Sequence, residues 1–355
     1  MHIKKLSIFK KKRFWAGILL AQFVLFFILS KINGAVKLFE RFFEWQKNFH
    51  VHLFSGFNFS LGDIIYLLCG IFLILMLINV FKKSKRNSSW IKFFAFVNIF
   101  YFTYQIFWGM LYFQKPLIEK LPQKEPTEAQ IKALALIYLK KCRNTRELVK
   151  EDRNGVFKVY EQNIIKNEIL TRQNLIPKQI NEKAAIKNRS FKPSLYESVM
   201  SFSGILGYFN PFTAEAQYNP NLPSNSLPFT LAHESAHQLG YAREQEANFI
   251  GYLIGIKSEN LELRYSTEYF VLKSLLNSLS ENNPAFAKYV IRNYSAGMKR
   301  DRLAEKMFVY KHRGILDSFF GFTNDLFLKS NQQEGSVTYS YFVDLLVRYE
   351  TQKLQ

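Results

Sequence analysis

Residues 227–256 read LPFTLAHESAHQLGYAREQEANFIGYLIGI. His233, Glu234 and His237 make an HExxH pattern within it. On a helix, positions i and i+4 share a face, so both imidazoles can hold one Zn²⁺. Glu234, about 100° around from His233, can reach a water at such an ion as general base. Pro228 follows Ser226 where a helix can start, and Gly240 sits where one can end. Leu231, Ala232, Ser235 and Ala236 supply an apolar or small back for burial. An accidental HExxH is expected about 0.01 times in a chain of this composition. The other four His show no metal-ligand spacing of their own.

A catalytic zinc site takes three protein ligands and leaves a fourth position to water. Glu244 and Glu246 follow the motif on the next expected helix, about 200° apart around it, so both cannot easily face one ion. Glu244 shares a small and polar face with Asn248, Gly251 and Gly255, whereas Glu246 shares one with Phe249, Ile250 and Leu253. Glu244 is therefore the expected third ligand, with Asn248 orienting a ligand imidazole. Glu246 is the alternative.

Outward from this stretch the chain divides in two. Of its 355 residues 48% are hydrophobic, with 36 Phe and 19 Tyr, which excludes intrinsic disorder. Two distant cysteines, Cys69 and Cys142, exclude a disulfide framework or a cysteine-based zinc module. Three apolar runs lie in residues 1–113, at about 14–32, 61–81 and 91–113, each long enough to cross a hydrocarbon core of roughly 30 Å. The first lacks a small-x-small cleavage site and does not suit a signal peptide. Lys4, Lys5, Lys10, Lys11, Lys12 and Arg13 precede it. Lys82, Lys83, Lys85 and Arg86 lie between the second and third, while the first loop is nearly balanced. The positive-inside rule puts the N-terminus in the cytoplasm and everything after residue 113 outside, which is the periplasm in a Gram-negative host. In the first loop, Lys37, Glu40, Arg41, Glu44, Lys47 and Asn48 fall on one helical face. That predicts an amphipathic helix over about 36–50, lying in the outer membrane interface or packed on the soluble domain.

Pro116, Pro122 and Pro126 mark residues 114–126 as a linker, and Thr127 with Gln130 forms a capping-box pattern that opens the soluble part, 127–355. Helices are expected over 129–142, 192–200, 228–239, 242–256, 267–279, 284–294, 300–312, 315–328 and 339–351. Strands are expected at 155–160 and 213–218. The fold class is thus mainly α, with three membrane helices and a mostly helical soluble domain holding a small β element. The chain as a whole carries a net charge of +20; the basic residues of this domain are dispersed without a nucleic-acid motif, and read as solvated faces that can meet an anionic membrane surface as partner.

HExxH followed by E-x-x-x-N resembles the gluzincin arrangement, although His237 and Glu244 stand closer than in thermolysin-like enzymes. Gly240 is similar to the tight turn of metzincins, but their third His is replaced by Arg243. Over nearly its whole length, through GYFNPFTAEAQ, PFTLAHESAHQLGYAREQEANF and NDLFLKSNQQEGSVTYS, the chain resembles a family of bacterial membrane proteins, typical of Bacteroidetes, that carry a domain of unknown function. The resemblance implies a zincin-like outer domain and supplies no substrate.

Together these readings predict a membrane-anchored zinc metallohydrolase, a metallopeptidase above all, acting outside the cytoplasmic membrane on a peptide or protein. His233, His237 and Glu244 would bind Zn²⁺ and Glu234 would move the proton. Residues 213–218 are a candidate edge strand for an extended peptide, or a plain loop. Tyr339 is a candidate hydrogen-bond donor to a tetrahedral oxyanion, or a structural tyrosine. The alternative is a zinc-containing envelope-assembly protein without catalysis, against which the intact Glu234 argues.

Overall fold

The computed structural model describes residues 8–314 and 338–352. Four long helices come first: α1 Lys12–Ser30, α2 Asn33–Ser55, α3 Leu61–Val80 and α4 Arg86–Phe107. Two of them, α1 and α3, are long and apolar enough to cross a membrane. Only 6% and 11% of their most apolar stretches are buried, which separates them from the core helices of a soluble domain. Three such helices were expected. Arg86, Asn87, Ser88, Ser89 and Lys92 in the first two turns of α4 dilute it, and the α-helix ends at Phe107, with 3₁₀ turns over Gly109–Phe113. α4 nevertheless lies against both others. Gln22 Nε2 donates to Asn98 Oδ1 at 3.1 Å, Asn98 Nδ2 donates to Trp15 O at 3.0 Å, and Phe72 meets Phe96 at 5.2 Å.

The remainder is mostly helical: α5 Glu128–Arg146, α6 Gln162–Gln173, α7 Glu197–Ser203, α8 Leu227–Leu239, α9 Glu244–Gly255, α10 Leu261–Leu279, α11 Pro284–Arg292, α12 Ala296–His312 and α13 Thr338–Gln352. The capping box at Thr127 and Gln130 is present. α8 and α9 form the central hairpin, with α10 and α13 packed on it and α5 on α10. The core runs through these helices, with Leu231, Ala236, Ile250, Tyr265 and Leu346 all buried. The stretch 114–126 is not a free tether: Leu117 and Leu121 are buried, and Leu117 N–H donates to Glu246.

A three-stranded sheet of order β1–β3–β2 covers one side: β1 Phe191–Pro193, β2 Gly207–Asn210 and β3 Glu215–Tyr218. β1 runs parallel to β3 with Phe191 opposite Ala216, and β2 antiparallel with Gly207 opposite Tyr218. Here three expectations fail. The helix foreseen over 192–200 begins only at Glu197, because Phe191–Pro193 join the sheet and Ser194 and Leu195 bind Asp63. The strand foreseen at 155–160 is a single bridge from Glu151 to Phe157. The segment 213–218 does yield β3, but as the buried centre of the sheet, so the edge strands are β1 and β2.

Alternation decides what each face of the sheet meets. Gly207, Phe209 and Ala216 face α8, while Tyr208, Asn210, Glu215 and Gln217 face the start of α3. Glu215 accepts from Gly62 N–H at 2.7 Å, Leu61 N–H at 3.2 Å and Thr213 Oγ1 at 3.0 Å. Asp63 accepts from Leu195 N–H at 2.7 Å, Ser194 Oγ at 3.0 Å and the Tyr208 hydroxyl. Gly62 has no side chain because a Cβ would stand 2.4 Å from Asn210 Nδ2. The hairpin tip carries Phe212 against Phe100 of α4 and Tyr66 of α3. The first turn of an apolar helix is thus seated in the back of the sheet.

Removing the carboxylate at Glu215 strands two buried N–H groups, each worth about 1–3 kcal/mol. Glu215→Ala should therefore destabilise the detergent-solubilised protein by about 3 kcal/mol, read as a fall in thermal unfolding midpoint, while Ala at the surface residue Glu197 should cost about 0.5 kcal/mol or less.

Candidate metal centre

α8 carries His233, Glu234 and His237, and its end sets the geometry of the second imidazole. Gly240 adopts a left-handed conformation (φ +98°), and Tyr241 N–H closes back on Ala236 O at 3.2 Å. That turn points Tyr241 O at His237 Nδ1, 2.7 Å away. A Cβ at Gly240 would meet the Phe43 ring of α2 at 2.7 Å. The Gly240 carbonyl is held by Gln114 Nε2 at 3.0 Å and Lys183 Nζ at 3.2 Å. Burial brings that lysine down to about 8, against the pull of Glu44 and Glu40.

α9 crosses α8 closely. A Cβ at Gly251 would lie 3.1 Å from the His233 main-chain nitrogen, so only glycine lets the two helices approach this far. Gly255, on the same stripe, meets Thr267 of α10 instead. The approach brings Asn248 Oδ1 to 2.8 Å from His233 Nδ1 and sets Glu244, the first residue of α9, across from both imidazoles.

Three donor atoms converge. The two Nε2 atoms are 3.1 Å apart, Glu244 Oε2 is 3.2 Å from His233 Nε2, and Glu244 Oε1 is 3.6 Å from His237 Nε2. Ligand atoms sharing a tetrahedral zinc at about 2.0–2.1 Å stand about 3.3 Å from one another, which these separations bracket. A carbonyl oxygen only accepts, so Tyr241 O assigns the proton of neutral His237 to Nδ1 and leaves Nε2 as a lone pair; Asn248 Oδ1 does the same for His233. Two lone pairs and a carboxylate facing one point call for a cation. Without a metal that cation is a proton. Although burial lowers the affinity of His237 for it, the Glu244 carboxylate, helped by Glu234 and Tyr241 O, lifts its pKa to about 9. Burial would raise Glu244, but the two imidazoles hold it well below the usual carboxylate range. The donor set fits a zinc ion.

Glu234 is buried, and its Oε2 has no hydrogen-bond partner among the described residues. It lies against β2, where a Cβ at Gly207 would come within 2.6 Å of Oε1. Burial pushes its pKa up to about 7, the histidines opposing. A carboxylate poised near neutrality can both take and return a proton. Glu246 is elsewhere: it accepts from Leu117 N–H at 2.8 Å and Arg243 Nη1 at 3.0 Å. Arg243, which also donates to Gln114 O at 2.7 Å, fastens the 114–117 stretch rather than the site.

Sequence reasoning missed several neighbours. The Trp108 ring stands 5.7 Å from that of His237 and meets Phe209 in a tilted contact at 4.6 Å. Tyr112 is buried within electrostatic reach of Glu244. Both sit in an aromatic run that reads only as membrane span. Gly207 falls outside the expected helices and strands, although its position ahead of an aromatic pair is an available signal. The Tyr339 side chain and the 324–337 segment lie outside the described residues, and Tyr339 itself belongs to the first turn of α13.

No curated protein and no solved structure matches the chain. One family does, described as protein of unknown function DUF3810, over residues 39–347. The matched span takes in α3, the sheet and the whole His233, His237 and Glu244 cluster. The chain belongs to the DUF3810 family.

Proposed function

We propose that the protein is a membrane-anchored zinc metallohydrolase that cleaves amide bonds of a peptide or protein. The convergence of two Nε2 lone pairs and the Glu244 carboxylate, with a buried carboxylate one residue from His233, carries the reading. A zinc ion held by His233, His237 and Glu244 would polarise a carbonyl and acidify water. Glu234 accepts the proton of the attacking water and passes it to the leaving amine. Asn248 and Tyr241 O keep both imidazoles in the ligating tautomer. Asn219 N–H donates to Leu206 O at 2.9 Å, so the pairing alternation leaves the main-chain groups of Gly207 and Phe209 on the free edge of β2. An extended chain added there would run past Glu234.

For the membrane part, α4 serves as a third span beside α1 and α3. Its contacts with both support this, as does the meeting of the end of α4 and the start of α3 at the sheet. Three crossings, with the Lys/Arg clusters inside, put the soluble domain outside the cytoplasmic membrane.

Full-length protein should carry about one zinc per chain by metal analysis. His233→Ala or His237→Ala should abolish it, and Glu234→Gln should keep the metal and lose hydrolysis of a mixed peptide library. Stoichiometric zinc in the double His variant would sink the site.

Glu244→Ala and Glu246→Ala should fail differently. The first should lower zinc affinity by more than the roughly 10–100-fold typical of a residue behind the ligands, with little loss of thermal stability. The second should leave affinity within that range and lower the unfolding midpoint, because Leu117 N–H and Arg243 lose their partner. Competition with a chromogenic chelator and thermal unfolding separate the two.

A periplasmic reporter fused after Phe113 should be active and one fused at Ser84 silent. The opposite pattern would place the hydrolase in the cytoplasm.

A further inference from the structure

The short helix α7 and its flanks expose a stripe of apolar side chains that none of the described residues covers. Leu195 just before the helix, Val199 and Phe202 on it, and Leu206 after its left-handed Gly204 cap are all exposed, at 53%, 48%, 42% and 46%. The stripe stands where α3 begins. Leu195 N–H donates to Asp63, and the Tyr196 hydroxyl donates to the Asp63 carbonyl. The uncharged run of α3 starts at the next residue, Ile64, so α7 lies at the level where that helix enters the hydrocarbon. α12 extends the surface. Phe202 meets the His312 ring at 5.0 Å, and Met307 and Tyr310 are exposed beside the exposed Lys306 and Lys311. Apolar side chains at the depth of a membrane helix, rimmed by lysines, suit an anionic bilayer surface. On the far side of α3, α2 turns Phe43 and Lys47 into the domain and leaves Leu38, Trp45, Phe49 and Leu53 exposed.

The stripe ends one residue before the metal site's edge strand. Leu206 is followed by Gly207, which lies on Glu234, and on the other flank Trp108, the residue after α4, lies on His237. We propose that α7 seats in the bilayer surface, and that the site therefore acts on polypeptides held in or on the membrane, cut in the stretch emerging from the headgroups. The substrate class rests on the hydrolase reading above; the seating of α7 does not.

The seating is tested in full-length protein in nanodiscs of phosphatidylcholine and phosphatidylglycerol. Nitroxides are placed at Val199→Cys and Phe202→Cys with Cys69→Ser, Cys142 being fully buried, and at exposed Tyr289→Cys on α11 as control. Collision with oxygen should exceed collision with a water-soluble nickel chelate at 199 and 202, and the order should reverse at 289. Chelate access at 199 and 202 overturns the proposal, as does low access to both reagents, which would mean a second copy or another protein covers the stripe. The substrate class is read with zinc-loaded protein and a mixed-sequence quenched-fluorescence peptide library, with and without an N-terminal palmitoyl chain. The anchored library should be cut at least tenfold faster. The pair Val199→Ser and Phe202→Ser should narrow that ratio and leave cleavage of the free library unchanged. Equal rates overturn the substrate class alone. If zinc is bound and neither library is cut, the hydrolase reading fails and takes the substrate class with it.

Discussion

Two charges grip the turn between α2 and α3, and the placement of everything else follows from them. At the start of α3 the Glu215 carboxylate takes the free N–H groups of Leu61 and Gly62, where the helix dipole favours an anion. At the end of α2 the Lys192 ammonium donates to the Ser55 and Phe57 carbonyls, where the dipole favours a cation. Lys192 is on β1 and Glu215 on β3, its neighbour. Each group is buried, and each would be costly alone. Burial lowers the lysine and raises the glutamate, but each is pulled back toward its charged form by the other, Glu215 chiefly by the Gly62 N–H. The sheet thus behaves as a clamp on a helix–turn–helix, with Asp63 and Tyr208 as a second grip within the same first turn of α3.

This explains why so small a sheet suffices. Three strands of three or four residues are too short for a stable sheet by themselves. Here both faces are covered, one by the seat of α3 and the other by α8. A residue pattern of polar alternating with small or aromatic, as in Tyr208–Phe209–Asn210 and Glu215–Ala216–Gln217, is therefore not water against core but the seat of α3 against α8. The face of α8 that carries His233 and His237 is one sheet layer from the first turn of α3.

That double use is also what the sequence hid. The helices around the motif were readable because their signals are local. Pro228 and Gly240 bound α8, Thr127 and Gln130 open α5, and the 3.6-residue period of α9 gave the face holding Glu244 and Asn248. Length and charge marked α1 and α3 as spans. The missing parts depend on partners far away in the chain. Glu215 and Asp63 look like ordinary polar residues until the N–H groups of α3 and of Leu195 are brought to them. Pro193 and Lys192 read as a helix start because nothing local announces a parallel neighbour 25 residues later. Residues 213–218 read as an edge strand or a plain loop because their alternation carries no sign of a strand on either side. Trp108 and Tyr112 were masked by the aromatic run around them.

The short gap between His237 and Glu244 departs from thermolysin-like spacing, and two glycines account for it. A carboxylate seven positions after an imidazole reaches the same point only if the chain reverses at once and the second helix comes back almost in backbone contact. Gly240 supplies the reversal with a left-handed residue, and Gly251 supplies the contact, with His233 backbone atoms at 3.1 and 3.3 Å from where a Cβ would be. The ligand then falls at the first position of α9, where the free N–H groups favour the ionised carboxylate. Compactness has a chemical effect too. The turn that saves residues is the one whose carbonyl, at Tyr241, fixes the tautomer of His237. Chain reversal and ligand orientation are one feature here, and a longer connection would have to provide the second separately.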